Sequence, residues 1–248
     1  MRKFIGGWAA CALLALVLVL LGAIQAQEKD KDKEKDKEDV FAGWTTDFPV
    51  DKADLLSTGR NPYFILEPGY FLILRKGNEE MTITVLNETK KVDGVECRVI
   101  EEKETKNGKL IEISRNFFAI CKRTNSVYYF GEEVDIYEDG KVVSHEGAWL
   151  SGEKGAKFGL AMPGTPLIGG RYYNEIAPKV AMDRVEILSM TETVETIAGT
   201  FKNCLKVVET NPLEPGAKEF KYYARGIGLV NDANAELVKY GMLEKPKK

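Results

Sequence analysis

Apolar and polar residues alternate in short runs along most of the chain, and the clearest run lies between Lys109 and Gly131. There Ile111, Ile113, Phe117 and Ala119 occupy odd positions while Glu112, Ser114 and Asn116 occupy even ones, the period of a half-buried strand. One face is expected to meet the core. Just upstream, Asn107-Gly108 predicts a two-residue hairpin, because a type I′ turn needs positive φ at both central positions and these two residues tolerate it best. Such a turn pairs Val95–Lys103 with Lys109–Ile120. A second turn at Thr124-Asn125-Ser126 leads into Val127-Tyr128-Tyr129-Phe130, aromatic and β-branched as strands are, so a three-stranded meander results.

The same signals recur on both sides of it. Tyr70–Arg75 and Met81–Leu86 flank Lys76-Gly77-Asn78, Asp93-Gly94 makes a turn, and Glu133–Tyr137 and Lys141–Glu146 flank Asp139-Gly140. Later come Arg171–Glu175, Asp183–Met190, Glu192–Ile197, Cys204–Glu209, Phe220–Ala224, Gly228–Asn231 and Glu236–Tyr240. Only Asp51–Leu56 has the look of a helical turn, with Asp51 as N-cap and Gly59 as stop. Gly147–Gly170, rich in Gly and Pro and without a period, is either a functional flap or regular structure that its pattern hides, since so long a connection is uncommon in a compact domain. Many short strands with no helix of core-forming length predict an all-β fold, an antiparallel curled sheet forming a barrel, half-barrel or sandwich.

The first residues change the picture of where this sheet works. Met1-Arg2-Lys3 is basic, Trp8 to Leu21 is apolar or small, and Gly22 to Ala26 supplies small residues, so residues 1–26 are expected to be a signal peptide cleaved after Ala26. The alternative is an uncleaved anchor, since Phe4 to Ile24 is uncharged and long enough to span a bilayer. Residues 27–39, almost all charged with interleaved signs, predict a disordered linker, and residues 40–248 a single β domain. An extracytoplasmic location, periplasmic or secreted, follows. Removing Arg2 and Lys3 with the leader takes the formal charge from −3 to −5. That mild acidity carries no nucleic-acid footprint and no anionic-membrane footprint beyond the leader. Three cysteines remain, Cys97, Cys121 and Cys204. The turn at Asn107-Gly108 places Cys97 opposite about position 118, so small buried thiols are expected rather than a Cys97–Cys121 bridge.

Further stretches carry a resemblance: Asn61-Pro62-Tyr63-Phe64 with Pro68-Gly69, Val127 to Glu132, Gly147-Ala148-Trp149, Gly155-Ala156, Met162-Pro163, Glu175, Ala181-Met182-Asp183, Asn211 to Pro215 and Lys221 to Val230. Together they resemble a family of uncharacterised secreted bacterial proteins with signal peptides. The resemblance implies export and no particular activity. The chain departs from the family pattern at Asn116 and at Met182-Asp183, where the family tends to carry further acids, so a cation site held by those acids would be weakened here. Tyr222–Val230 also resembles strands of periplasmic half-barrel proteins.

Candidate chemistry is sparse. His145 is the only histidine, which excludes multi-histidine metal sites. Ser144-His145-Glu146 is no triad, because neighbours on a strand face opposite ways. The acids from Glu132 to Asp139 lack the spacing of a calcium loop, and Gly147–Gly170 lacks the ending of a phosphate loop. No catalytic residue, metal or cofactor is assigned, and the protein is read as a non-enzyme. What stands out is the set of adjacent aromatic pairs, each of which puts one ring on either face of a strand. If the sheet curls, the second rings line a groove. The expected ligand-binding residues are Tyr129, Trp149, Phe158, Met162, Tyr173 and Tyr223, and the expected partner is a lipid, another apolar or amphiphilic small molecule, or an envelope protein. Two alternatives stay open. One is a structural or interaction module without a pocket; the other is an envelope hydrolase using Glu132, Glu175 and Asp183, which requires those carboxylates to converge.

Overall fold

In a computed structural model, residues 41–244 are described; the expected leader and charged linker lie outside them. The described residues from Gly43 onward form one compact unit. It opens with a 3-10 turn, Lys52–Asp54, capped by Asp51, whose carboxylate accepts from the Ala53 amide at 2.9 Å. The turn ends at Leu55 rather than at Gly59, because the chain at once joins the sheet.

Eighteen strands follow among the described residues. They are β1 (Leu55–Leu56), β2 (Gly59–Asn61), β3 (Phe64–Leu66), β4 (Tyr70–Lys76), β5 (Glu79–Val92) and β6 (Val95–Lys106). Next come β7 (Lys109–Cys121), β8 (Val127–Glu138), β9 (Lys141–Ser144), β10 (Trp149–Leu150), β11 (Lys157–Met162) and β12 (Arg171–Tyr173). The last are β13 (Glu175–Ile176), β14 (Arg184–Thr196), β15 (Gly199–Thr210), β16 (Glu219–Ala224), β17 (Gly228–Asp232) and β18 (Ala235–Met242).

The protein is nearly all β, and its large antiparallel sheet is nearly closed and barrel-shaped. The strand order β12-β14-β15-β16-β17-β18-β4-β5-β6-β7-β8-β11-β13 shows how it closes. Its two ends, β12 and β13, are one stretch of chain interrupted only at Asn174. Tyr172 pairs with Val185 on one side, while Glu175 pairs with Phe158 on the other. Gly159 makes this seam possible: a Cβ there would lie 2.3 Å from the Asn174 carbonyl oxygen and 2.6 Å from that of Tyr173. Outside the seam, Thr45 exchanges backbone hydrogen bonds with Arg171 and Tyr173, both at 3.0 Å, and Trp44 packs edge-on against Tyr173.

The tight turns are where the sequence places them. Asn107 and Gly108 have φ of 54° and 74°, and Asp139 and Gly140 have 48° and 76°, the two positive values of a type I′ turn. Register between them is less regular. A bulge between Glu104 and Thr105 shifts the β6–β7 pairing, so Arg98 faces Phe118 and Cys97 falls opposite position 119 rather than 118. All three cysteines of the domain are free and buried. Asp183–Met190 and Glu192–Ile197 are not two strands but parts of one, β14, continued through several register shifts. The 147–170 segment is not a flap: it contributes β10 and β11, and β11 is part of the barrel wall.

Two apolar clusters result, one on each side of the sheet. The larger, inside the barrel, includes Leu72, Val85, Ile100, Phe118, Tyr129, Met162, Val185, Val207 and Leu237. The smaller lies outside strands β5 to β8 and gathers Val92, Val95, Cys97, Val99, Phe117, Ala119, Tyr128 and Phe130 under Val50, Leu55, Leu150 and Phe158. The second half of β7 is therefore buried on both faces, although its alternation predicts one. Arg98 ties the cover down, donating to the Ser57 carbonyl at 2.9 Å and the Thr58 hydroxyl at 2.7 Å, and to the carbonyls of Leu86 and Glu88 at the β5 bulge.

Candidate functional site

The barrel encloses a cavity of about 300 Å³, at the small end of the usual range for small-molecule sites. Its wall is of two kinds. Aliphatic and aromatic side chains such as Leu72, Met81, Ile83, Ile100, Phe118, Val185 and Val207 meet a set of ionisable groups: Glu102, Glu132, Glu175, Asp183, Glu209 and Asp232, with Lys221 the one basic residue of the lining.

The distribution of the two kinds along the barrel follows from strand direction. β6 presents Ile100 and then Glu102, β15 Val207 and then Glu209, and β17 Leu229 and then Asp232. The strands running the other way present the reverse: Asn116 before Phe118 on β7, Lys221 before Tyr223 on β16, and Asp183 before Val185 at the start of β14. Because neighbours are antiparallel, this reversal puts the polar member of each of these pairs toward one end of the barrel and its apolar companion toward the other; β5 departs from it, its Ile83 lying opposite Glu102.

Two bulges complete the layer. On β8, Tyr129 pairs with Phe118 and Glu132 with Asn116, so β8 spends one residue more than β7 between the same two rungs. Tyr129 and Glu132 thereby both reach the cavity, as do Leu229 and Asp232 across the matching shift on β17. Gly131, at φ 135°, sits where a Cβ would approach the Trp149 carbonyl oxygen to 2.4 Å, so the bulge needs glycine.

Within the layer, Lys221 bridges Glu209 at 3.1 Å and Asp232 at 3.7 Å. Burial alone would lower the ammonium pKa, but Glu209 and Asp232 outweigh it and hold the group well above its usual range. The remaining acids have no such partner. Burial, helped by neighbouring Glu104, Asp232 and Glu112, lifts Glu102 to about 7 against the pull of Lys221. Burial and the charges of Glu102 and Glu112 lift Glu132 to about 8. Glu175 is raised well above the carboxylate range by burial and by Asp183; it accepts from the Asp183 amide at 3.2 Å and from the Asn174 side chain at 2.8 Å. Tyr129 donates its hydroxyl to the Asn116 side-chain oxygen. The Tyr172 hydroxyl, on the same cavity, is buried without a hydrogen-bond partner.

Of the residues expected to face a ligand, Tyr129, Met162 and Tyr223 line the cavity. Trp149, Phe158 and Tyr173 are not on its wall. Trp149 packs edge-on against Tyr129, Phe158 stacks on Phe130 in the outer cluster, and Tyr173 meets Trp44. Next to Tyr173 it is Tyr172 that faces the cavity, and β11 reaches it only at Ala161 and Met162. The carboxylates Glu132, Glu175 and Asp183 do converge on one cavity. Missed by the sequence reading were Glu102, Glu209, Lys221 and Asp232. For Glu102, Glu209 and Lys221 the signal was an acid or base two positions from an apolar residue, hidden among surface charges of the same type; Asp232 lies three positions from Leu229 across a register shift and carried no such signal. His145 lies at the surface beside Asp135 and the Val134 carbonyl. No group of three or more metal-ligating side chains is found among the described residues.

No family model, curated protein or solved structure matches the chain.

Proposed function

We propose that the protein is an exported, non-enzymatic β-barrel that binds an amphiphilic small molecule in its interior. One observation carries this reading: the cavity is divided along the barrel into an apolar layer and a polar layer. A structural barrel gains stability by filling its interior with apolar side chains, whereas a row of acids raised by burial costs free energy in the absence of partners. The apolar layer would take a tail and the polar layer a head. At about 300 Å³ the space suits one short chain or a small ring system rather than a two-chain lipid. Export rests on the leader.

The test is binding of the neutral fluorophore N-phenyl-1-naphthylamine to the purified mature domain, alongside native mass spectrometry for a copurified ligand. Saturable fluorescence at one site, lost when Val207→Trp fills the apolar layer, supports the proposal. No saturable binding and no copurified ligand in a folded protein overturns it.

A second reading draws on the convergence of Glu132, Glu175 and Asp183. Burial and Asp183 raise the Glu175 carboxyl well above its usual range, and a carboxyl held protonated in this way suits a general acid, as a hydrolase would need. Turnover of an ester or glycoside library, abolished by Glu175→Gln, would favour it over binding alone.

A further inference from the structure

We propose that the polar end of the ligand is a cation with N–H donors, an ammonium or guanidinium group, seated in the acidic layer of the cavity. This rests on the binding reading above and names the class of head group it would take.

The polar layer is lopsided. Against Glu102, Glu132, Glu175, Asp183, Glu209 and Asp232 it sets the single cation Lys221, which is taken up by Glu209 and Asp232. Four carboxyls therefore face the same space without a basic partner among the cavity-lining residues. An anionic head would meet repulsion from those that are ionised and would hold the others protonated. A neutral alcohol could hydrogen-bond but would leave the acids uncompensated. An ammonium or guanidinium group supplies both several donors and a positive charge, and carboxylates accept such bonds most strongly.

A second, independent feature points into the same space. The Tyr172 hydroxyl is buried without a partner although the residue is only 4% exposed, and such orphans are rare unless something absent completes them. It sits near Tyr223 and Glu209, so a donor placed among the acids is within the same neighbourhood as its oxygen. Next to the layer, Phe118 and Tyr129 are stacked with ring centroids 4.6 Å apart, and Phe64 lies 5.0 Å from Phe118. Their faces offer the start of the tail an aromatic wall that also favours positive charge.

The arrangement couples binding to protons. Glu132 is faced by Tyr129 on its own strand, by Glu112 on β7 and Glu102 on β6 beyond it, and by Glu175 and Asp183 from the seam. Glu102 is faced by Glu104, Glu112, Lys221 and Asp232. A cation arriving among these groups favours their ionised forms, so protons leave as it binds. Affinity should rise with pH through the region from about 7 to about 8 where Glu102 and Glu132 titrate. An alkylamine stays protonated throughout that region, its pKa being near that of lysine at ~10.4.

The experiment compares octylamine, octanol and octanoate by isothermal titration calorimetry on the mature domain, in buffers of different ionisation enthalpy. Octylammonium is expected to bind about tenfold or more tighter than octanol, octanoate more weakly than either. The amine should release protons, and its affinity should weaken as pH is lowered from about 8 to about 6. Glu132→Gln should remove much of that preference and of the pH dependence, with a smaller effect on octanol than on octylamine. Tyr172→Phe should weaken the amine by a few fold only. If octanol and octylamine bind alike, or octanoate binds best, the cationic class is wrong while the binding barrel stands. If none of the three binds the folded protein, both proposals fall together.

Discussion

The two sides of strands β6, β7 and β8 are built for different ends. On the outside, Val99, Phe117, Ala119, Tyr128 and Phe130 are covered by Val50, Leu55, Leu150 and Phe158 and pack as an apolar cluster with no carboxylate among its members. On the inside, one residue along the same strands, Ile100, Phe118 and Tyr129 share a cavity with Glu102, Asn116 and Glu132. Adjacent residues thus serve opposite environments, Phe117 a closed apolar core and Phe118 a half-polar space. The outer cluster is where the sheet gains stability. The inner face gives some of it up, since acids without bases are held in restricted contact with water.

Truncation of the two neighbouring rings separates these roles most sharply. Phe117→Ala should cost about 4 kcal/mol in urea denaturation, the range for a large ring removed from a packed core. Phe118→Ala should cost roughly half as much, because it widens a space that already exists rather than opening one where packing was complete. Equal losses would mean that the inner face is as tightly packed as the outer. Next in size is Arg98, whose guanidinium satisfies the carbonyls of Ser57, Leu86 and Glu88. Arg98→Ala leaves them unpaired under the outer cover, so a loss of ~3 kcal/mol is expected, with early proteolysis between Val50 and Arg60 as the local sign that the cover has lifted.

The inner face makes the opposite prediction. Glu102 and Glu132 hold their protons more tightly when folded, at about 7 and about 8, than an unfolded chain would at about 4.3. Between these values the folded state binds more protons than the unfolded, so stability falls as pH rises from about 5 to about 8 and levels off above. The melting temperature should show that slope. Glu132→Gln should flatten it, raising stability at pH 8 by about 1–2 kcal/mol and changing little at pH 5. A variant less stable than the parent at both pH values would show that the carboxyl is a structural partner rather than a group held ready. The smallest effect belongs to neither face: Asn107→Ala, at φ 54° in the β6–β7 turn, should cost ~1 kcal/mol and leave the binding of a fluorescent ligand unchanged.

Much of this architecture can be read from alternation and turn chemistry. Asn107-Gly108 and Asp139-Gly140 form the hairpins they imply, Phe117-Phe118 and Tyr128-Tyr129 straddle the sheet as adjacent strand residues must, and Lys221 shares a face with Tyr223. These are local matters, fixed by backbone sterics and a period of two. What alternation could not reach is every place where the count breaks. The bulge beside Gly131 turns Glu132 to the same side as Tyr129, and the shift on β17 does so for Asp232 and Leu229. Both depend on what the partner strand and the chain near Trp149 leave room for.

Closure, too, was decided between distant segments. Nothing near Arg171–Ile176 announces that this stretch joins both ends of the sheet, and Gly159 matters only because the Asn174 carbonyl passes over it. The acidic layer has the same origin. Glu102, Glu132, Glu175 and Glu209 are ordinary charged residues on their own strands, and they become a site because antiparallel neighbours in a ring bring each one to the same end. The pattern of apolar positions carries the strands and their turns; only the closed sheet determines which charges end up facing each other with little water between them, because that depends on long-range pairing and not on any residue's neighbours in the chain.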